Sequence, residues 1–139
     1  MPPDPILLAD TRAWLTKAAT DLRSATVAMA ATPPILEDAL YHCQQASEKT
    51  LKAFLTFHDQ AFRKTHNLEE LGEACLKLDG SLQSLIDQSV PLTEYAWLFR
   101  YPGEPLVPTE EEARSALTIA KDLNQAILDR IPPEARPQT

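Results

Sequence analysis

Apolar residues recur at helical spacing along most of the chain. Leu8, Leu15, Leu22 and Met29 follow one another every seven residues. This period places them on one face of a helix, so the sequence predicts a long amphipathic helix from about Leu8 to near Ala31. Charged residues fall mostly outside this face: Arg12, Lys17, Asp21 and Arg23.

A second helix is predicted directly after the break at Thr32-Pro33-Pro34, because the residue before a proline disfavours helical dihedral angles. It ends around residues 58–61. Its apolar stripe is broad enough to touch several neighbours, which predicts the central helix of the fold. The stripe consists of Leu36, Ala39, Leu40, Cys43, Ala46, Thr50, Ala53, Phe54 and Phe57.

The next segments predict a short helix and an interrupted one. Asn67 or Thr65 is the expected cap of the third helix, and Asp79-Gly80 closes it. Residues 82–99 form a fourth helical region that is interrupted or restarted at Pro91.

The last helix begins with a capping box, since Glu112 follows Thr109 by three residues, and it runs to about Arg130. No stretch of sequence alternates apolar and polar residues over the length of a strand. The predicted fold is all-α: an up-and-down bundle of about five helices. We expect one domain over residues 1–139, with an ordered core at about 8–131 and proline-rich terminal arms.

Composition and net charge indicate which classes of partner the protein is expected to bind. Apolar residues make up 44% and charged residues 24% of the 139, which is typical of a globular protein. The net charge of −7 works against long-range attraction to nucleic acid or to an anionic membrane, and we expect neither DNA nor a membrane as a partner. Residues 42–66 are the only net-positive segment, with four basic and two acidic side chains. With no membrane-span pattern and no secretory signal pattern in the sequence, the expected location is the cytoplasm.

Cysteine and histidine spacing predicts neither a metal site nor a cofactor site. Cys43 and Cys75 lie among apolar helical neighbours, without a second ligand at metal-binding spacing. We expect both thiols to be reduced and buried. His42 is expected to pack at the edge of the core, and His58 to be exposed at a helix end.

Gln45 and Lys49 are the first candidate ligand-binding residues. They are four residues apart on the central helix and can meet on its surface, as can Glu48 and Lys52. Lysine would supply charge and glutamine directional hydrogen bonds to a phosphate-bearing ligand. The alternative is that these side chains form a solvated face or a dimer contact.

Lys64 and His66 form the second candidate site. A cation, a titratable ring and the backbone N–H groups of a helix start come together there, as an anion site requires. The alternative is that His66 caps or packs at the corner between the second and third helices.

Arg100 and Tyr101, at a helix end stopped by Pro102, are the third candidate pair. Arginine can bind phosphate bidentately and tyrosine can stack on a base. In the alternative, Arg100 pairs with Glu94 or Glu104 and Tyr101 packs over the bundle end.

Together these motifs, in this order, resemble the HEPN domain family, named for higher eukaryotes and prokaryotes nucleotide binding. The resemblance covers roughly residues 8–130. It rests on four pieces of sequence: Trp14-Leu15-x-Lys17-Ala18 with Asp21-Leu22, the run His42–Ala53, Lys64-Thr65-His66-Asn67-Leu68, and Arg100-Tyr101-Pro102.

The resemblance implies a helical bundle, often homodimeric, that in many cases acts beside a minimal nucleotidyltransferase in a toxin–antitoxin pair. Some relatives are metal-independent ribonucleases with an arginine, four to six residues, then a histidine. Here His42, His58 and His66 all lack an arginine at that distance. The ribonuclease motif is therefore missing in its usual form.

The resulting hypothesis is a non-catalytic or weakly active helical module, homodimeric, that binds a nucleotide-like ligand, RNA or a partner nucleotidyltransferase. One alternative is a ribonuclease toxin that uses a displaced pair, Arg100 and His66, since RNA cleavage needs a group that exchanges protons near neutral pH and a cation on the phosphate. The other alternative is a purely structural helical interaction protein.

Overall fold

Five α-helices form the framework of the structure, a computed structural model that describes residues 2–103 and 106–138. Three short 3-10 helices connect or follow them, at Gly80–Leu82, Val90–Ala96 and Pro133–Ala135, and no strand occurs within these residues. The prediction of an all-α bundle of about five helices is confirmed. The helices are α1 Pro5–Ala30, α2 Leu36–Phe57, α3 Leu68–Leu78, α4 Gln83–Ser89 and α5 Glu110–Leu128.

The central helix is α2, as its broad apolar stripe predicts. It packs along α1 and also contacts α3, α5 and the 3-10 helix Val90–Ala96. Between Ala39 and Leu55 only Tyr41, His42 and Lys49 are not buried. The middle of α2 therefore presents little surface to a second copy of the chain.

The first helix begins at Pro5, three residues earlier than the position near Leu8 that periodicity predicts. Asp4 caps it by accepting a hydrogen bond from the backbone N–H of Ile6 at 2.8 Å. A proline is tolerated in the first turn because its missing N–H would have no helical partner there.

The C-terminal segment packs against α1 instead of forming a free polar tail. Ala135 is fully buried, and Arg12 donates a hydrogen bond from Nε to the carbonyl oxygen of Glu134 at 3.1 Å. Arg136 donates back to the carbonyl of Leu128 at 3.1 Å. Ordered packing therefore extends beyond the expected limit at residue 131.

Two predicted caps are present. Asn67, rather than Thr65, caps α3 by accepting from the backbone N–H groups of Glu69 and Glu70. The capping box at the start of α5 has both of its hydrogen bonds, between Thr109 and Glu112. The predicted restart at Pro91 is also found, because α4 ends at Ser89 and a 3-10 helix with Pro91 in its first turn follows.

No helix in the described ranges is long and apolar enough to cross a lipid bilayer.

Gly72 allows α3 to approach α4 closely. A Cβ at this position would overlap Cγ2 of Ile86, a buried core residue. We expect Gly72→Ala to lower the free energy of unfolding by about 1–2 kcal/mol, because overpacking outweighs the gain in helix propensity. Urea denaturation measures this loss. Gly80→Ala is the control, since its Cβ would meet nothing within 4 Å, and an equal loss in both variants would show that overlap with Ile86 is not the cause.

Candidate functional site

An arc of polar side chains runs along α2, and most of it is buried. Gln44 is 0% exposed, Glu48 4%, Lys52 7% and Gln45 9%. Polar faces of helices usually lie in water, so the interpretation of this arc as a solvated face is wrong. The cover comes from α1 and from the connection 58–67, which folds back over α2.

Glu48 is the centre of this buried arc. Its carboxylate oxygens lie 2.8 Å from Nζ of Lys52 and 2.7 Å from Nδ1 of His66. Gln44 donates to Glu48 at 3.3 Å and to the carbonyl oxygen of His66 at 3.0 Å. Gln45 in turn donates to Oε1 of Gln44 at 2.7 Å. We call these five residues, Gln44, Gln45, Glu48, Lys52 and His66, the Glu48 cluster.

The cluster keeps Glu48 ionised. Burial would raise the pKa of the carboxyl group, but the hydrogen bonds from Lys52 and His66, together with the charge of Lys52, outweigh it. The pKa of Glu48 therefore lies below its ordinary value of 4.5. The carboxylate is a permanent hydrogen-bond acceptor for its neighbours across the neutral range.

Two aromatic rings enclose the ammonium group of Lys52. Its Nζ lies 5.4 Å from the ring centroid of Trp14 on α1 and 5.8 Å from that of Phe62 in the connection 58–67. The two rings contact each other edge to face at 6.1 Å. Cation–π attraction and the Glu48 carboxylate thus replace the water that a buried lysine loses.

His66 is held at one nitrogen and open at the other. Its side chain is 62% exposed, whereas that of Glu48 is 5% exposed. Because Nδ1 contacts the carboxylate, Nε2 remains for a ligand. Lys64, two residues before it, is exposed.

The backbone N–H groups after His66 are not part of an anion site. Asn67 accepts from the N–H groups of Glu69 and Glu70, and Thr93 Oγ1 accepts from that of Leu68 at 3.1 Å. The predicted convergence of His66 with free helix N–H groups is therefore wrong. The groups at this corner that could still bind an anion are the His66 ring and the Lys64 ammonium.

Lys49 belongs to a second carboxylate cluster, which consists of Asp21, His42 and Lys49, whereas Gln45 belongs to the Glu48 cluster. Nζ of Lys49 lies 2.6 Å from Oδ2 of Asp21 on α1, and Nδ1 of His42 lies 2.8 Å from Oδ1 of the same carboxylate. Asp21 is only 6% exposed. The predicted joint site of Gln45 and Lys49 does not form, because Gln45 bonds to Gln44 whereas Lys49 pairs with Asp21 on α1.

The pairing of Asp21 with His42 was not predicted from the sequence, although one signal for it was present. Asp21 follows the buried Ala18 by three residues and precedes the buried Ala25 by four. These spacings put it on the core-facing side of α1. A carboxylate there needs a hydrogen-bond or ion-pair partner, and α2 supplies two, His42 and Lys49.

Arg100 and Tyr101 are placed differently from the structural alternative predicted for them, in which Arg100 pairs with a nearby acid and Tyr101 packs over the bundle end. The guanidinium carbon of Arg100 lies 4.1 Å from the ring centroid of Tyr41, and its Nη1 lies 3.8 Å from Oδ1 of Asp38. Glu94 is not its ion-pair partner, and Glu104 lies outside the described residues. Tyr101 is 70% exposed, so it does not pack over the bundle end.

The His66 and Arg100 side chains do not meet within one chain. His66 contacts Glu48, and Arg100 stacks on Tyr41. These two residues of α2 are seven positions apart, or about 10 Å along the helix axis. The structure thus places them along one helix, two turns apart.

Residues 2–103 and 106–138 include both cysteines and all three histidines of the sequence. They contain no group of three histidine, cysteine or acidic side chains that could hold a metal ion. Cys43 and Cys75 are buried as predicted, and burial raises the pKa of each thiol to about 12. Such thiols are poor nucleophiles at neutral pH.

Comparison with known proteins identifies the family of this fold. A family model described as the HEPN domain matches residues 11–130, which is most of the chain. No curated protein and no solved structure shows significant similarity to it. The matched range contains both carboxylate clusters and all of the motifs on which the resemblance rests. The chain therefore belongs to the HEPN domain family.

Proposed function

We propose that this HEPN domain is a non-catalytic helical module that binds the phosphate groups of RNA or of a nucleotide at the corner formed by Lys64 and His66. The observation that carries the proposal is the pairing of His66 Nδ1 with the buried Glu48 carboxylate at 2.7 Å. This contact fixes the ring while leaving Nε2 at the surface, next to an exposed lysine. An oriented imidazole and an ammonium group supply both direction and charge for a phosphate.

Charge distribution supports the same surface. The corner ends the only net-positive segment of an otherwise acidic chain. The overall charge of −7 gives no long-range attraction to RNA, so recognition depends on these local contacts.

Replacing His66 by alanine is expected to weaken binding of a short single-stranded RNA about tenfold, because a charge-assisted hydrogen bond to phosphate is lost. Fluorescence polarisation of labelled RNA at fixed salt measures the affinity, and Lys64→Ala should act in the same direction. Lys77→Ala removes an exposed lysine of α3 and is the matched control. Equal affinities of all three variants, or no binding by the unsubstituted chain, would refute the proposal.

Ribonuclease activity is the second candidate, because an imidazole held by a buried carboxylate is also the arrangement of a general acid–base group. His66 and Arg100 contact α2 at positions two turns apart, so an Arg100 that contacts the same phosphate as His66 would have to come from a second subunit. RNA incubated with the protein and EDTA tests this idea. Cleavage that His66→Ala abolishes would replace the binding function by the enzymatic one.

The partners implied by the family resemblance are part of the proposal: a homodimer, and a minimal nucleotidyltransferase with which the chain would form a toxin–antitoxin pair. Light scattering coupled to size-exclusion chromatography tests the dimer. Co-expression with the nucleotidyltransferase encoded beside this chain, where there is one, tests the second partner. A monomer that binds neither RNA nor such a protein would favour a purely structural helical module.

A further inference from the structure

An apolar groove of about 340 Å³ lies between α3 and the segment formed by α4 and the 3-10 helix that follows it. Its floor consists of Leu76, Ile86, Val90 and Pro91. Ile86 belongs to the buried core, whereas Leu76 and Val90 are only partly buried and Pro91 is exposed. Water therefore reaches apolar surface at the bottom of the groove, and covering that surface with an apolar group is favourable.

Three carboxylates form the rim of this groove: Glu69 and Glu73 on α3, and Asp87 on α4. All three residues are exposed, and no ion pair in the described part of the chain involves any of them. Asp87 accepts a hydrogen bond from the amide of Gln83 at 2.8 Å, which leaves its charge uncompensated. Lys77 lies one turn after Glu73 on α3 but does not line the groove. The rim is thus complementary to a cationic occupant.

The spacing of the rim charges indicates the shape of that occupant. Glu69 and Glu73 are four residues apart, so they lie on one face of α3, about 6 Å from each other along the helix axis. Like charges at this spacing destabilise a helix, and a bound cation relieves the repulsion. Basic side chains one turn apart on a second helix have the same spacing, and an arginine can bind a carboxylate through two hydrogen bonds.

A second copy of this chain does not offer such a helix. Among its 13 lysines and arginines, no two are four residues apart. Lys49 and Lys52 are three residues apart on α2, but Lys52 is 7% exposed and pairs with Glu48. Two copies that met through the same groove would also place the rim carboxylates of one against those of the other. The charge pattern therefore favours a different protein as the occupant.

We propose that this groove docks an amphipathic helix of a partner protein, one that carries two basic residues one turn apart and an apolar residue on the same face. The basic groups contact the rim carboxylates, and the apolar side chain packs on Leu76 and Val90. The groove shares no residue with the corner at Lys64 and His66. The inference therefore goes beyond the proposed RNA-binding function and does not rest on it.

The test uses the full chain and three labelled synthetic peptides with one helical host sequence. The first peptide carries two arginines one turn apart and a leucine on the same face. The second has glutamates in place of the arginines, and the third has a serine in place of the leucine. Fluorescence polarisation gives their affinities, and ¹H–¹⁵N NMR shifts show where they bind. We expect the first peptide to bind about tenfold more tightly than either of the others, with shifts in α3 and α4.

Reversing one charge of the rim tests the electrostatic part of the proposal. Glu73→Lys should weaken binding of the arginine peptide about tenfold and strengthen binding of the glutamate peptide, because a cation then stands where a carboxylate did. Asp87→Lys should act in the same direction from the opposite wall. Glu111→Lys is the matched control, since it reverses an exposed glutamate of α5 and should leave all affinities unchanged.

Three outcomes contradict the proposal or one of its parts. Equal affinities of the Glu73→Lys and Glu111→Lys variants for the arginine peptide, or no binding by the unsubstituted chain at millimolar peptide, would overturn it. Equal affinities for the leucine and serine peptides would overturn the role of the apolar floor. Self-association of the chain that Glu73→Lys abolishes would assign the groove to a second copy and overturn the choice of partner.

Discussion

Replacing Glu48 by alanine is expected to lower the free energy of unfolding by about 3–5 kcal/mol. The variant leaves the ammonium of Lys52, which is 7% exposed, without its counter-ion. Gln44 loses one acceptor at the same time. Removing one member of a buried ion pair costs more than the pair contributes, because the remaining charge stays desolvated. Urea denaturation of the variant measures the loss.

Three further variants identify the origin of that loss: Glu73→Ala, Lys52→Met, and the double variant that combines Lys52→Met with Glu48→Ala. Glu73→Ala removes an exposed glutamate of α3 and should change stability by less than about 0.5 kcal/mol. Adding Lys52→Met to Glu48→Ala should recover part of the loss, because the uncompensated charge is then gone. If the double variant is as unstable as the sum of the two single variants, the buried charge is not the cause.

The pH dependence of stability provides a second readout of Glu48. The pKa of its carboxyl group is lower in the folded chain than its ordinary value of 4.5, so the unfolded chain binds the proton more readily. The stabilisation is therefore fully present above about pH 4.5 and is lost as the pH falls through the lower, native pKa. Glu48→Gln should flatten the stability curve in that acid range.

The fold was predictable because local sequence signals agree with tertiary packing. Apolar periodicity identifies the long helices, and the caps at Asn67 and Thr109 use hydrogen bonds within three residues of sequence. The start of α1 was harder to predict, because a proline in the first turn resembles a helix break unless Asp4 is recognised as the cap of the helix.

The arrangement of the site was not predictable to the same degree, because it depends on contacts distant in sequence. Periodicity assigns the polar arc of α2 to solvent, yet Trp14 and Phe62 cover it from segments 38 residues before and 10 residues after Lys52. Arg100 likewise contacts Asp38 and Tyr41, about 60 residues away in sequence, and not a near neighbour. The periodicity of a single sequence does not indicate which residues distant in the chain will contact one another.

The two carboxylate clusters share one design. Asp21 and Glu48 are each nearly buried, and each contacts one lysine and the Nδ1 of one histidine. In both cases the carboxylate cancels the lysine charge and orients the imidazole. Polar side chains of α2 thus stabilise the core and at the same time present two oriented histidines at the surface.

Trp14→Ala is expected to loosen the connection 58–67, which carries His66, more than it loosens the rest of the helical bundle. It should lower the free energy of unfolding by about 2–3 kcal/mol, less than for a fully buried tryptophan, because the ring is only partly buried. The substitution removes one of the two rings at Lys52 and the edge-to-face partner of Phe62, so the connection 58–67 loses the contact of Phe62 with α1. Hydrogen exchange in that connection should therefore accelerate more than in α5.

Trp97→Ala is the control, because it removes a tryptophan that is 53% exposed. It should lower the free energy of unfolding by less than about 1 kcal/mol and leave hydrogen exchange at 58–67 unchanged. Unchanged exchange in Trp14→Ala would contradict this role of Trp14 and would mean that the polar contacts of His66 with Glu48 and Gln44 hold the connection in place.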